Sequence, residues 1–352
     1  MKTIKVGKHL IGPNEPVYVI AEAGVNHEES IETAEKMIVD AARTGAQCIK
    51  FQTYQAGKLV VRDAPKYWDD PDNLVANQYE MFAGRNTFNE SDWQRLIAKC
   101  EKEGITFMSS AWDEENVDML DALGMPAFKI GSADITSLPL ISYTARKGKP
   151  IILSTGASTI GEIEAAVEVV RAEGNEDIIL LHCILSYPAD YRDANLKMMV
   201  WLQQAIPDIP IGLSDHTLPD SSMTVPLGAA ALGARVIEKH YTLDKTLPGN
   251  DHYHAMDTED LGHLMASLDI LQQAQGNASS RYILSSEQIP RAMARRSLVS
   301  QTQIPRGTVI ERDMITYKRP GTGISPADLE SVLGRCARVD IPEDKTLTWD
   351  MV

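Results

Sequence analysis

Basic charge is in short supply in this 352-residue chain, where 34 Lys and Arg stand against 49 Asp and Glu for a formal net charge of −15. That balance argues against a nucleic-acid partner, which needs basic surface to neutralise phosphates. It leaves the cationic side chains to be concentrated where a small anion binds. Long apolar runs are missing too, so no segment reads as a bilayer span, and the opening MKTIKVGKHL has no signal-peptide pattern. Cysteine is sparse: Cys48, Cys100, Cys183 and Cys336 sit in apolar or helical contexts without metal-ligand spacing. They read as structural thiols of a reducing cytoplasm.

What the chain has instead is eight short apolar runs, each ending in polar, reactive side chains. They are VYVIAEAGVNH (to His27), CIKFQTY (to Tyr54), ITFMSSAWD (to Asp113), AFKIGSAD (to Asp134), PIILSTGAS (to Ser158), IILLHCILSYP (to Pro188), IPIGLSDH (to His216) and RVIEKH (to His240). Continuous Val/Ile/Leu runs mark buried parallel strands, and closing eight of them places every C-terminal end around one mouth. Between them lie helix-period stretches, including Ser30 to Ala46, Asn89 to Gly104 and Thr159 to Gly174, each followed by a capping Gly. The pattern predicts an α/β fold, a (β/α)8 TIM barrel.

One interval departs from this rhythm. From Gln52 to about Asn89 the chain is long, charged and aromatic, with Tyr54, Tyr67, Trp68, Tyr79 and Phe82, and it reads as a lid or flank over the barrel mouth. A plain surface excursion is the alternative. Near Ser285 the texture changes to short β-like runs (SLVSQ, GTVI, MITYKR) and one helix signal, SPADLESVLG. This divides the chain into a barrel at 1–275, a linker at 276–290 and a small domain at 291–352.

The chemistry begins with lysines and hydroxyls at strand ends. Lys50, Lys129, Ser132, Ser154 and Ser214, with Gly131, Gly156 and Gly212 nearby, make an anion pocket suited to phosphate or carboxylate. His216 and His240 end adjacent strands and, with Glu22, Glu238, Asp251 and water, are candidates to hold a divalent transition ion such as manganese, or zinc. The alternative is that each imidazole only hydrogen-bonds within the rim. The HYH segment at 252–254 adds candidates, although alternating residues in a loop point to different sides.

Taken in order, AEAGVNH, IKFQTY, FKIGSAD, LSTGAS, the HC...YPA segment, GLSDHT, IEKHYTLDK and YKRPGTGISP resemble the N-acetylneuraminate (sialic acid) synthase family. That family includes the legionaminate and pseudaminate synthases and spore-coat polysaccharide relatives. The resemblance covers nearly the whole chain. It implies a small C-terminal antifreeze-protein-like (SAF) domain after the barrel, reaching across a domain-swapped homodimer to close the partner's active site. It implies condensation of phosphoenolpyruvate with an open-chain N-acetylated amino sugar, N-acetylmannosamine or a 2,4-diacetamido relative. Phosphate is released with C–O cleavage, giving a nine-carbon 2-keto acid.

By the same resemblance, Lys50, Lys129, Ser132, Ser154 and Ser214 hold phosphoenolpyruvate, and His216 and His240 ligate manganese or magnesium. Gln52, Asp134, Tyr187 and Asp251 lie near the acceptor, and Arg319 is the arginine delivered by the partner chain. Glu22 is the candidate for handling the proton of the attacking water, with Glu238 second; beside a divalent ion such a carboxylate is expected to stay ionised. A salt bridge from Glu22 to a barrel lysine is its structural alternative. Two departures leave the acceptor open: Leu185 stands where the family carries a polar residue, and NDHYHAMD replaces the usual GPD-type segment. A different barrel enzyme, such as a Schiff-base aldolase using Lys50 or Lys129, and a non-catalytic sugar-binding protein remain as rival readings.

Overall fold

Each of the eight apolar runs is a strand, and all eight pair in parallel. In the computed structural model, which describes residues 1–66, 75–85, 88–249, 251–276 and 279–352, a two-stranded hairpin comes first, β1 (Ile4–Val6) and β2 (His9–Ile11). The barrel follows: β3 (Tyr18–Gly24), β4 (Cys48–Thr53), β5 (Thr106–Ala111), β6 (Phe128–Ile130), β7 (Ile151–Ser154), β8 (Ile178–Cys183), β9 (Ile211–Asp215) and β10 (Val236–His240). The closed order runs β10-β3-β4-β5-β6-β7-β8-β9, with helices outside. This is a TIM barrel.

The helices form where local chemistry starts and stops them. Ser30 caps Ile31–Thr44 by accepting from Thr33 N, and Gly45 ends it at φ 100°. Asn89 and Thr159 form capping boxes with Asp92 and Glu162 on Glu90–Glu103 and Ile160–Ala172. Such a cap is worth roughly 1 kcal/mol. The first helix buries Ala34, Met37, Ile38 and Ala41, the three-and-four spacing of one face, against barrel residues including Val19, Ile49 and Phe51.

Strand side chains alternate between that outer layer and the barrel interior. The lower interior is apolar, with Tyr18, Ile20, Cys48, Met108, Ile152, Ile179, Leu181 and Val236 in one cluster. Ile4, Val6 and Ile11 of the hairpin join it and plug the barrel's N-terminal end. The sequence reading had assigned no strands there. At Gly212 a Cβ would stand 2.4 Å from Val236 O and 2.7 Å from Leu181 Cδ2, so glycine is what lets the interior close at β9.

The chain divides into two compact units, residues 1–276 and 277–352. In the second, β11 (Ser297–Ser300) pairs antiparallel with β12 (Ile315–Lys318) over a core of Leu298, Ile304, Ile310, Ile315, Ile324, Val332, Ile341 and Leu347. GTVI is not a strand: Val309 makes one isolated bridge to Cys336, while Ile310 turns into the core. The helix signal at SPADLESVLG is a 3-10 turn, Pro326–Asp328, continued by a single helical turn, Leu329–Val332. Cys48, Cys100 and Cys183 are buried, but Cys336 is exposed, paired by an isolated bridge to Val309 while the next residue, Ala337, takes the core position. No helix among the described residues is long and apolar enough to cross a membrane.

Candidate functional site

Two residues further along each strand, the apolar interior gives way to charge. The inward positions become Glu22 on β3, Lys50 on β4, Ser110 on β5, Lys129 on β6, Ser154 on β7, Cys183 on β8, Ser214 on β9 and Glu238 on β10, all buried. They form the floor of a cavity of about 620 Å³ at the C-terminal mouth. Lys50 Nζ lies 2.6 Å from Glu22 Oε2 and 3.9 Å from Glu238 Oε1, and Lys129 Nζ lies 3.6 Å from the same Glu238 oxygen. Ser214 Oγ donates to Glu238 Oε1 at 3.1 Å and Gln52 Nε2 to Glu22 Oε1 at 2.9 Å. The salt bridge weighed as Glu22's structural alternative is therefore present.

The two carboxyls are held differently. Burial pushes Glu22 up to about 7, with neighbouring Glu238 adding to it against Lys50 and Gln52. Burial acts on Glu238 too, but Lys129 and Lys50 together with Ser214 hold it below the ordinary carboxylate range. Burial lowers the Lys129 ammonium, while Glu22 and Glu238 outweigh burial at Lys50 and raise it. Divergent environments for paired carboxyls are how one site keeps one group ionised and another ready to exchange a proton near neutrality. The expectation of an ionised Glu22 was for a carboxyl beside a divalent ion; in the protein alone, burial outweighs Lys50.

Thirteen of the fourteen candidate residues line this one cavity: Glu22, Lys50, Gln52, Lys129, Ser132, Asp134, Ser154, Tyr187, Ser214, His216, Glu238, His240 and Asp251. The fourteenth, Arg319, belongs to the second unit, where it is exposed immediately after β12. Ser132 Oγ accepts from Gly156 N at 2.9 Å, and Ser154 Oγ is buried without a hydrogen-bond partner among the described residues. Leu185 lines the same cavity. Burial raises Asp134 above its ordinary value, opposed by a hydrogen bond from Trp112.

At one edge stand the imidazoles. His240 Nδ1 is 3.4 Å from Asp251 Oδ2, and His240, Asp251 and His254 form a group whose ligand atoms all lie within 4.8 Å of one another. This is a possible His/Asp/His metal site. His216 is not in that group: its Nδ1 is 2.7 Å from Ile184 O and its ring centroid is 4.2 Å from that of Tyr187 and 5.4 Å from that of His240. Burial holds His254 neutral, at about 4, and lowers His240 with help from His254, and a neutral ring is the ligand form.

Sequence reasoning missed several contributors. Asn26 bridges the site's two halves, donating from Nδ2 to Tyr241 O and accepting from Asp251 N. Its place in AEAGVNH was the available signal. Cys183, read as structural, faces the cavity 3.8 Å from His216 Nδ1. The long interval after Gln52 was not missed: expected as a lid or flank over the mouth, it supplies Tyr54, Leu59, Val60, Met81, Phe82 and Arg85 to the cavity's outer wall. Tyr67 and Trp68, and Asn250 of NDHYHAMD, lie outside the described residues.

Comparison with known proteins matches residues 37–280, from before β4 to beyond β10, to the NeuB family, and residues 295–352 to the SAF domain. An N,N'-diacetyllegionaminic acid synthase of Legionella pneumophila is 35% identical over 97% of this chain and 96% of its own. The human N-acetylneuraminate-9-phosphate synthase is 31% identical over 97% of this chain and 94% of its own. A crystal structure of an N-acetylneuraminic acid (sialic acid) synthetase from Leptospira borgpetersenii, in complex with citrate, aligns with a TM-score of 0.72 at 32% identity, covering 82% of this chain and 95% of that one. With its barrel and its C-terminal SAF domain both accounted for, this chain belongs to the NeuB family.

Proposed function

We propose that this chain is a nonulosonic acid synthase that condenses phosphoenolpyruvate with the open-chain form of an N-acetylated amino sugar and releases phosphate. The observation that carries this reading is the buried Glu22, Lys50, Lys129 and Glu238 quartet beneath a cavity in a NeuB-family barrel. Two buried ammonium groups converging with Ser132, Ser154 and Ser214 suit a small, multiply charged anion. The unpartnered Ser154 hydroxyl is a donor available to it. The outer wall, with Val25, Leu59, Val60, Met81 and Phe82, suits acetamido methyl groups. N-Acetylmannosamine or a 2,4-diacetamido relative is the acceptor class.

In this reading the C2=C3 electron pair of phosphoenolpyruvate bonds C3 to the aldehyde carbon, and the aldehyde oxygen takes up a proton to become a hydroxyl. Water then bonds to the electron-deficient C2 as one proton passes to Glu22, which makes good the proton taken up. The C2–O bond to phosphate breaks as C2=O forms, and the remaining hydroxyl proton leaves with the phosphate. Glu238 stays ionised and fixes both lysines. Gln52 orients Glu22, while Asp134, Tyr187 and Asp251 position the sugar. The donor set fits a divalent cation: His240 Nδ1 is buried without a hydrogen bond among the described residues, beside the Asp251 carboxylate and near His216. When bound, manganese, or alternatively magnesium, supplies Lewis-acid polarisation of the aldehyde. Residues 1–275 are the catalytic barrel, 276–290 a linker and 291–352 the domain that carries Arg319 to the partner's cavity in a homodimer.

The test is phosphate release by chelator-stripped protein, with and without manganese, across N-acetylated and unmodified aldoses. Release requiring both metal and one N-acetylated acceptor, with a nine-carbon keto acid by mass, is the expected result. Absence of release with every acceptor refutes the proposal. A Schiff-base aldolase is the second reading, favoured by the lowered Lys129 ammonium. Borohydride would trap pyruvate on the protein in that case and not otherwise.

A further inference from the structure

The segment after β10 carries three ring side chains in sequence, and a 3-10 turn over His252–His254 gives the two histidines different surroundings. His252 is fully engaged, with Nδ1 2.7 Å from Thr242 Oγ1 and Nε2 2.8 Å from Glu28 Oε1. His254 is as deeply buried, yet neither of its ring nitrogens makes a hydrogen bond among the described residues. An orphaned buried polar group costs on the order of 1–3 kcal/mol. A fold that packs such a group beside other orphaned donors is built around something that satisfies them together.

Its surroundings indicate what. The His254 ring centroid is 4.8 Å from that of His240 at an interplanar angle of 60°. His254 Nε2 is 4.0 Å from Asp251 Oδ1, and the other Asp251 oxygen is 3.4 Å from His240 Nδ1, which also lacks a hydrogen bond among the described residues. Ligand atoms about 2.1 Å from a tetrahedral ion stand roughly 3.4 Å apart. One edge of the group is therefore already at that separation, and the others, none longer than 4.8 Å, close by at most about 1.4 Å.

We propose that His254 is a third protein ligand of the divalent ion, beside His240 and Asp251, and that this two-imidazole, one-carboxylate set selects transition ions over magnesium. The proposal rests on the metal-assisted reading given above and deepens it. Magnesium is a hard ion that prefers oxygen ligands and keeps its waters, whereas imidazole suits manganese less than zinc but either better than magnesium. Of the two expected histidines, His240 belongs to this set; His216 is held through Nδ1 by Ile184 O, the anchoring that leaves an imidazole's Nε2 open to an ion, so His254 adds to the expected pair.

The test uses the full-length protein, chelator-stripped and titrated with Mn2+, Zn2+ and Mg2+ by calorimetry, alongside His254→Ala and the shape-retaining His254→Gln. Circular dichroism melts check that each variant is folded. The wild type is expected to bind Mn2+ and Zn2+ more tightly than Mg2+. Both variants should lose roughly 10-fold or more for the transition ions, with little change for Mg2+. Visible absorption of the Co2+-loaded protein should shift on removal of His254. If neither variant folds, ring-nitrogen NMR of wild type decides: the His254 resonances must move on Zn2+ loading, and unmoved resonances overturn the proposal.

Folded variants with wild-type affinity for Mn2+ and Zn2+ also overturn it. In that event, persistent metal-dependent phosphate release would leave the synthase reading standing. Conversely, a wild type that binds the ions through His254 but releases no phosphate with any acceptor would support the ligand and sink the synthase.

Discussion

The two halves of the barrel interior are built from the same eight strands, a single side-chain repeat apart, and they are opposites. Below, Ile20, Cys48, Met108, Ile152, Ile179 and Val236 pack with the N-terminal hairpin as an ordinary apolar core. Above, at the next inward positions on β3, β4, β7 and β10, stand Glu22, Lys50, Ser154 and Glu238. Burying an apolar side chain stabilises the fold by about 1.5–3 kcal/mol. A buried ion pair, by contrast, about breaks even or loses against apolar residues of similar volume. The lower half thus explains why the barrel stands, and the upper half makes sense only through what it binds.

The sharpest way to break this comparison is to remove one charge from the upper layer. Lys129→Ala should take from Glu238 the nearer of its two lysines and lower stability by about 3–5 kcal/mol, removal of one partner of a buried pair being the cause. Denaturant unfolding reads that loss, and phosphate release should become undetectable. In the lower layer, Ile179→Ala should cost about 2–5 kcal/mol through cavity formation. Its folded fraction should keep the wild-type KM, which steady-state kinetics checks.

Proton linkage sharpens the contrast further. Glu22 has its folded pKa raised to about 7 from 4.5, chiefly by burial. Its favourable contribution is therefore fully present below the unfolded value and is lost as pH rises through about 7. That loss amounts to roughly 3 kcal/mol. Metal-stripped wild type should accordingly lose more stability between pH 5 and pH 8 than Glu22→Gln, by thermal melts at matched ionic strength. The smallest expected effect lies outside the barrel interior. Thr159→Ala removes the cap that satisfies Glu162 N and should cost about 1 kcal/mol with kinetics unchanged.

The barrel was legible in sequence because parallel strands covered on both faces are written as unbroken apolar runs, and the period of two points Glu22, Lys50, Lys129 and Glu238 inward together. The hairpin was not legible, since Ile4–Val6 and His9–Ile11 are three residues each and too short to show a period. GTVI looked like a strand by composition, yet tertiary packing of Ile310 overrode it. HYH offered His252 and His254 alike as candidates, and which of them joins His240 and Asp251 is decided by a 3-10 turn that no local pattern announces. The pairing of Glu22 with Lys50 was foreseeable as an alternative. That the same carboxyl is nevertheless pushed up to about 7 depends on total burial, which only the closed barrel supplies.

The most direct test replaces the upper layer's ion pair by uncharged side chains of similar volume, in the Glu22→Gln/Lys50→Met double variant. Unfolding free energy and metal-dependent phosphate release are then measured on the same preparation. The account predicts stability unchanged within about 1–2 kcal/mol, the exchanged pair offsetting Glu238's loss of its more distant lysine, with release lowered by at least about 100-fold. A double variant that still releases phosphate at the wild-type rate would contradict it.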